Sequence, residues 1–336
     1  MSWSFDEPTR ERLLEFLRDH GLADEAPKIA PIGDGHSNLT FLLETGGRRM
    51  VLRRPPPPPL PPGSNDVLRE AGFLRIVGPA GVPVPAVLAT GDVGTVFDVP
   101  FYIMDMVDGI VVTETLPATL EGRGGVGESI AAQLVDAMGH LHRIDWAETP
   151  LALKARPDGF NARHFRIFAR MIDDGRDEPA RAFREVATWL EARTPEPSGA
   201  AIIHNDMRLG NVMWSATGQP RLAAILDWEL ATVGDPLLDL AYLASSLPRE
   251  GACHTPVQDL AAALLAASCP EPEALVARYF EQAGGGEVEI GWYQAMVNFK
   301  LAALYRYSRL AGHDPYFADA THEARFLAEA KHYCRG

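Results

Sequence analysis

His204, Asp206 and Asn211 stand in the spacing HxDxxxxN, within AIIHNDMRLGNVMW, and form the most specific chemical signal in the chain. Apolar, strand-like pieces flank this polar loop on both sides. Sixteen residues past Asn211 a second apolar run, residues 222–226, delivers Asp227 at its end, followed by Trp228 and Glu229. A loop aspartate can orient a hydroxyl and accept its proton. An amide oxygen and a second carboxylate suit magnesium, a hard octahedral cation normally shared with nucleotide phosphates. Phosphoryl transfer needs this set, because the reaction is mostly positioning and charge neutralisation. Asp206 is therefore the expected catalytic residue, and Asn211 and Asp227 are the expected magnesium ligands. The bland reading has both aspartates capping turns and His204 satisfied in a core; it accounts for any one residue better than for the ordered set. A metal-dependent hydrolase built on His204 and Asp206 is the poorer reading, since no second histidine stands nearby at ligand spacing. His140 and His142 share a helix but lie two apart, so their side chains diverge.

Earlier in the chain, Gly33-Asp34-Gly35-His36-Ser37-Asn38 joins two strand-like segments. Turns of this composition can bring backbone N–H groups close to phosphates, which makes Gly33, Gly35, His36, Ser37 and Asn38 candidates for nucleotide binding. The turn is weak alone, and a full GxGxxG would need glycine where Asn38 stands. Its value comes from its order ahead of Arg53 at a strand end and Glu70 in the following helix. A cation on phosphates, held by a helix glutamate, completes the arrangement. Arginine is a planar donor rather than the point charge of a lysine, and the neighbouring Arg54 competes for the role.

These residues need elements to hold them. Residues 9–20 read as an amphipathic helix with Leu13, Leu14 and Leu17 on one side. Strand signals begin at Ile29 and continue as LTFLL, a Gly46-Gly47 turn and RMVLRR, together a hairpin. Asn65 or Asp66 can cap a helix running to Val77, with Val67, Leu68, Ala71 and Leu74 on one face. Strands follow at residues 86–90 and 100–106. From Leu116 the pattern turns helical, at residues 130–144, 180–192, 237–247, 257–267, 273–283 and 292–311, interrupted only by the strand-like stretch around the motif. The expected class is α+β: a β-rich N-terminal part, residues 1–107, and a mainly helical part, residues 108–336, with turns from both meeting in a cleft.

The 336 residues, 46% hydrophobic, can bury one large core or two adjoining ones. With 31 basic and 45 acidic residues the formal charge is −14, which repels nucleic acid and anionic membranes rather than attracting them. No apolar run approaches the roughly 20 residues that cross a bilayer, and MSWSFDEPTRERLLEF lacks a basic region followed by an apolar stretch. The expectation is a cytoplasmic protein without nucleic-acid or membrane partners. Cys253, Cys269 and Cys334 are odd in number and lack CxxC spacing, so they are expected to be reduced. The run PPPPPLPP reads as a stiff polyproline connector about 25 Å long.

The segments PIGDGHSNLTFLL, RMVLRRPPPPPLPP, VLREAGFL, GVPVPAVLA, PFYIMDMVDG, IIHNDMRLGNVMW and ILDWELATVGDPLLDLAYL resemble, in that order, the aminoglycoside phosphotransferase-like kinases. They cover the chain from about Pro31 to Leu243. The spelling is most similar to the branch whose members occur alone in bacteria or fused to acyl-CoA dehydrogenases in animals, and the tail WYQAMVNFKLAALYRY resembles that branch too. The resemblance implies a two-lobed, protein-kinase-like fold with ATP or GTP and Mg2+ bound, transferring phosphate to a hydroxyl of a small molecule. It assigns Asp206 as base, Asn211 and Asp227 as magnesium ligands, and His204 as a structural member of the loop. Arg53 takes the phosphate-binding position and Glu70 that of its helix partner. Met104, Asp105, Met106 and Val107 become the hinge that meets the nucleotide base, and Asp235 and Asp239 scaffold the catalytic loop. Gly210 departs from the pattern, where a small acidic or polar residue is common. The branch points to a hydroxyacyl-CoA or another hydroxy metabolite as acceptor. The rival readings are an aminoglycoside-modifying kinase and a catalytically silent nucleotide-binding pseudokinase; retention of Asp206, Asn211 and Asp227 argues against the latter.

Overall fold

The computed structural model describes residues 5–33, 38–57, 65–172, 178–286, 289–312 and 315–335. The chain divides into two compact units, one of Met1–Asp108 with Ala224–Glu229, the other of Gly109–Ala223 with Leu230–Gly336.

The first unit opens with α1 (Glu7–Asp19), whose first turn is closed by the Asp6 side chain accepting from the Thr9 amide. A five-stranded antiparallel sheet follows in the order β1-β2-β3-β5-β4, made of β1 (Lys28–Pro31), β2 (Leu39–Thr45), β3 (Arg48–Arg54), β4 (Val87–Gly91) and β5 (Phe101–Asp105). The turn between β2 and β3 places Gly46 and Gly47 at φ +54° and +77°, the pair of left-handed residues that a two-residue hairpin turn requires. Strand alternation then sorts the side chains. Phe41, Leu43, Met50, Leu52, Phe101 and Ile103 point to one face and pack with Leu13, Phe16 and Leu17 of α1. Val51, Arg53, Tyr102 and Met104 take the other face. There α2 (Val67–Val77), capped by Asp66 rather than Asn65, buries Glu70, Ala71, Phe73, Leu74 and Val77.

The second unit contains β6 (Ile110–Val111), α3 (Val126–His142), α4 (Phe160–Ala169), α5 (Glu178–Ala192), β7 (Ala201–Ile203), β8 (Val212–Trp214), β9 (Leu222–Ile225), β10 (Thr232–Gly234) and α6 (Leu237–Ser246). After these come α7 (Pro256–Asp259), α8 (Ala263–Ala266), α9 (Pro272–Gln282), α10 (Gly291–Ala311) and α11 (Ala320–Tyr333). The last two residues of β9 belong to the first unit. β7 pairs antiparallel with β10, and β6 with β8. α10 is the axis of this unit: Trp292, Tyr293, Met296, Phe299, Ala302 and Ala303 are all buried.

The helix expected over residues 257–267 is instead two short ones, α7 and α8. Thr255 and Gln258 form a capping box that starts α7, and the chain turns again at Leu260. Two further helices, α4 and α11, were not anticipated. The three cysteines are free.

Candidate active site

Two clusters hold the residues singled out by the sequence, one in each unit.

In the first unit, Arg53 is the penultimate residue of β3, on the α2 face and opposite Tyr102 in the ladder. Its Nε lies 3.1 Å from Glu70 Oε2, an ion contact rather than an aligned hydrogen bond. Its Nη2 donates to Asp227 Oδ1 at 2.7 Å and lies 3.5 Å from Glu229 Oε2. One guanidinium thus serves three carboxylates. Burial pushes the Glu70 carboxyl up to about 7; the Arg53 charge opposes this, while Asp227 and Glu229 reinforce it. For Arg53 burial disfavours the charge, but Glu70, Tyr102 and Asp227 outweigh it and raise its pKa further. Asp227 sits at φ +67°, a left-handed conformation that aspartate tolerates better than most residues, just after β9 ends.

Asn38 is buried, donating to Glu229 Oε2 at 3.1 Å and accepting from Asn65 at 3.2 Å, so its side chain is committed to this network. Gly33 is exposed at φ +74°, whereas Gly35, His36 and Ser37 lie outside the described residues. Arg54 points to the opposite face. Its guanidinium lies 5.0 to 6.0 Å from the ring centres of Phe97, Phe41 and Phe5, so strand alternation separates it from the carboxylates that gather around Arg53. Met104 and Asp105 close β5; the Asp105 and Met106 amides donate to the Ala86 and Arg49 carbonyls. The Val107 backbone makes no hydrogen bond among the described residues.

In the second unit, the loop after β7 carries Asp206, whose side chain is 18% accessible. Its Oδ2 accepts from Asn211 Nδ2 at 2.7 Å, and its Oδ1 accepts from the Tyr242 hydroxyl, with Arg208 Nε 3.7 Å away. Asn211 also donates to the Asp206 carbonyl at 2.9 Å, which spends its nitrogen and leaves its side-chain oxygen without a hydrogen bond among the described residues. Beneath the loop, the fully buried Asp239 accepts from the His204 amide at 2.7 Å and the Asn205 amide at 2.6 Å. Burial alone would raise the Asp239 pKa, but the hydrogen bond and charge of His142 and the bond from the His204 amide hold it below its ordinary value. His142 in turn meets Tyr279 through its other nitrogen, at 2.8 Å. Asp235 accepts from the Ser198 amide and hydroxyl, Asn161 and Tyr293. Asp239 thus holds the loop backbone, whereas Asp235 ties the segment before β7 to α4 and α10, and His204 is buried.

Tyr242, Glu229 and Arg208, which touch the two clusters, were missed by the sequence reading. Tyr242 had a legible signal: it lies three residues after Asp239 on α6, so both side chains share one helix face. For Glu229 the only hint was its place two residues after Asp227.

Asp227 and Asn211, one in each unit, each carry an oxygen of the hard kind that magnesium takes. Asp227 is 32% accessible in a cluster with more carboxylate than cationic charge, and Asn211 presents an amide oxygen.

A model of the phosphotransferase enzyme family, designated APH, matches residues 28–278. The chain belongs to this family. Acyl-CoA dehydrogenase family member 11 of Gallus gallus is 33% identical over 218 residues, which are 65% of this chain and 28% of that protein. Across the relatives of this type the chain spans only 20–39% of their length. The resemblance to the dehydrogenase-linked branch therefore holds. A crystal structure from Ralstonia eutropha, described as a candidate aminoglycoside phosphotransferase, superposes with a TM-score of 0.76 at 24% identity, covering 97% of this chain and 98% of the other. A thermostable mutant of aminoglycoside phosphotransferase APH(4)-Ia, in a ternary complex with ADP and hygromycin B, gives 0.63 at 18% identity, with 97% of each chain covered. The expected α+β, protein-kinase-like fold, β-rich at the N-terminus and mainly helical after it, is the fold observed. No helix among the described residues is long and apolar enough to cross a membrane.

Proposed function

We propose that this phosphotransferase is a magnesium-dependent small-molecule kinase that moves the γ-phosphoryl group of ATP or GTP onto an alcohol, with Asp206 as its base. The observation that carries the reading is the fixing of Asp206. Asn211 and Tyr242 each donate to one of its oxygens while Asp239 holds the loop backbone beneath it. Each oxygen accepts one of these bonds and keeps a lone pair for the acceptor hydroxyl. Asp206 orients that hydroxyl and takes its proton as the oxygen attacks phosphorus. Arg53, steadied by Glu70, binds phosphate oxygens, and the Val107 backbone, without a hydrogen bond among the described residues, is offered to the nucleotide base. Asp227 and Asn211 would supply oxygen ligands to magnesium, which when bound neutralises phosphate charge. The complex of ADP with APH(4)-Ia supports a nucleotide donor.

For the acceptor, kinship with the dehydrogenase-linked branch favours a hydroxyacyl-CoA. Arg208 beside Asp206 supports this choice, because a fixed cation repels a polycationic antibiotic. The aminoglycoside reading rests on the hygromycin B bound by the APH(4)-Ia neighbour. The test is phosphate transfer from labelled ATP and GTP across hydroxyacyl-CoAs, aminoglycosides, choline and sugars. A hydroxyacyl-CoA should show the highest kcat/KM. Turnover of kanamycin-type substrates with none of any hydroxyacyl-CoA would reverse the acceptor assignment and leave the kinase standing. Nucleotide binding without transfer to anything would instead indicate the silent, pseudokinase reading.

A further inference from the structure

Lys300 lies in the middle of α10 with 2% of its surface exposed, among Phe299, Ala302 and Ala303. An amine at such a position is costly, and a methionine would fill the same space without the loss of hydration. Burial brings its pKa down to about 8, with Asp206 and Asp239 pulling the other way.

Both hydrogen bonds of its ammonium reach the loop after β7. Nζ donates to both the main-chain oxygen and Oδ1 of Asn205, at 2.8 Å each, and faces the rings of Tyr242 at 5.4 Å and Phe168 at 5.9 Å. Asn205 is the residue immediately before Asp206 and stands at φ +65°. Its amide is taken by Asp239 and its Nδ2 donates to the Leu230 carbonyl at 3.3 Å. Every polar group of Asn205 is therefore fixed, two of them by the same ammonium.

We propose that Lys300 is the positioning residue that aims Asp206, by clamping Asn205 in its left-handed conformation and backing the Tyr242 ring; this rests on the reading of Asp206 as the base. A cation bridging the carbonyl and side-chain oxygens of one residue fixes the orientation of the peptide that follows, and that peptide begins Asp206. Tyr242, whose ring the ammonium faces, donates its hydroxyl to the same carboxylate. Lys300 thus supports Asp206 from its own backbone and from its hydrogen-bond partner.

The test uses the full chain as Lys300→Met, Lys300→Arg, Asn205→Gly, the double variant Lys300→Met/Asn205→Gly, and Asp206→Asn. ADP release is followed with the acceptor preferred in the screen above and with water alone, and rates are scaled to the folded fraction from thermal melts. Misplacing a reacting group by about 1 Å can cost about 100-fold, so Lys300→Met should lower kcat by about 30- to 100-fold while the nucleotide KM stays within about twofold. Lys300→Arg should recover a substantial part, since a guanidinium can bridge the same two oxygens. Asn205→Gly keeps the backbone angle but removes one arm of the clamp, so it should cost about three- to tenfold, and the double variant should be no slower than Lys300→Met alone. A kcat per folded molecule unchanged in Lys300→Met, or full additivity in the double variant, overturns the proposal. If Lys300→Met does not fold, an unchanged kcat in Asn205→Gly overturns it equally. Near-normal turnover in Asp206→Asn would instead sink the reading on which it depends, a different outcome from an inactive Asp206→Asn beside a normal Lys300→Met.

Discussion

At the scale of single residues, Asp206 and Asp227 differ in what surrounds them, and the proposed roles differ accordingly. Asp206 sits among donors, Asn211 and Tyr242, while Asp227 shares Arg53 with two other carboxylates. Asp206→Asn keeps the shape and removes the proton acceptor; turnover should fall about 100-fold or more while magnesium-nucleotide affinity, read by calorimetry, holds. Asp227→Asn removes an oxygen ligand and should weaken metal-dependent nucleotide binding together with turnover. Glu70 supplies a pH effect. Its buried carboxyl titrates at about 7, against 4.5 for the unshifted group. The native state therefore binds that proton more tightly than the unfolded chain, and native stability must fall as pH rises from about 4.5 to about 7 and level off above. Chemical denaturation across this range should show that slope in the wild type and its loss in Glu70→Gln. An unchanged slope in the variant would mean that another group is responsible.

At the scale of elements, what positions the clusters is the period of each segment. Alternation along β3 separates Arg53 from Arg54 by a full sheet thickness, and the i, i+3 spacing on α6 turns both Asp239 and Tyr242 toward the loop. Close approach matters as much. Gly127, in the first turn of α3, donates to the Ala267 carbonyl at 3.0 Å, and a Cβ there would lie 2.5 Å from that oxygen and 2.6 Å from the Cys269 nitrogen. Both obstacles are backbone and cannot rotate away. Gly127→Ala should therefore destabilise the protein by about 1–3 kcal/mol despite alanine's better helix propensity. A melting temperature equal to or above that of the wild type would show that the segment after α8 yields freely.

At the scale of the whole molecule, the family match ends at residue 278, before α10 and α11 begin. Yet α10 is the buried axis of the second unit and carries Lys300, while Glu323 of α11 is buried in an ion cluster with Arg306 and Arg309 of α10. Ending the chain after Glu289 should therefore abolish cooperative unfolding of the second unit, because α4, α5 and α6 would lose the helix against which they bury their apolar faces. A truncated chain that kept a sharp melting transition and wild-type turnover would show this axis to be dispensable.

The sequence by itself determined the order of β-rich and helical parts, the hairpin at Gly46-Gly47 and the HxDxxxxN loop, because each rests on local period, turn chemistry or short spacing, whereas the pairing of Arg53 with Glu70 rests on motif order and the family resemblance. The long apolar stretch near residue 260 misled it, since helical periodicity carries no sign of the turn at Leu260 that ends α7 after Asp259 and separates it from α8. Tertiary structure decided the rest. Glu229 and Asn38 lie 191 residues apart and meet in one hydrogen bond, and Lys300 reaches Asn205 across 95 residues. Such pairings follow from which faces the sheet and helices bury, and a burial pattern is a property of the packed chain that no window of sequence contains.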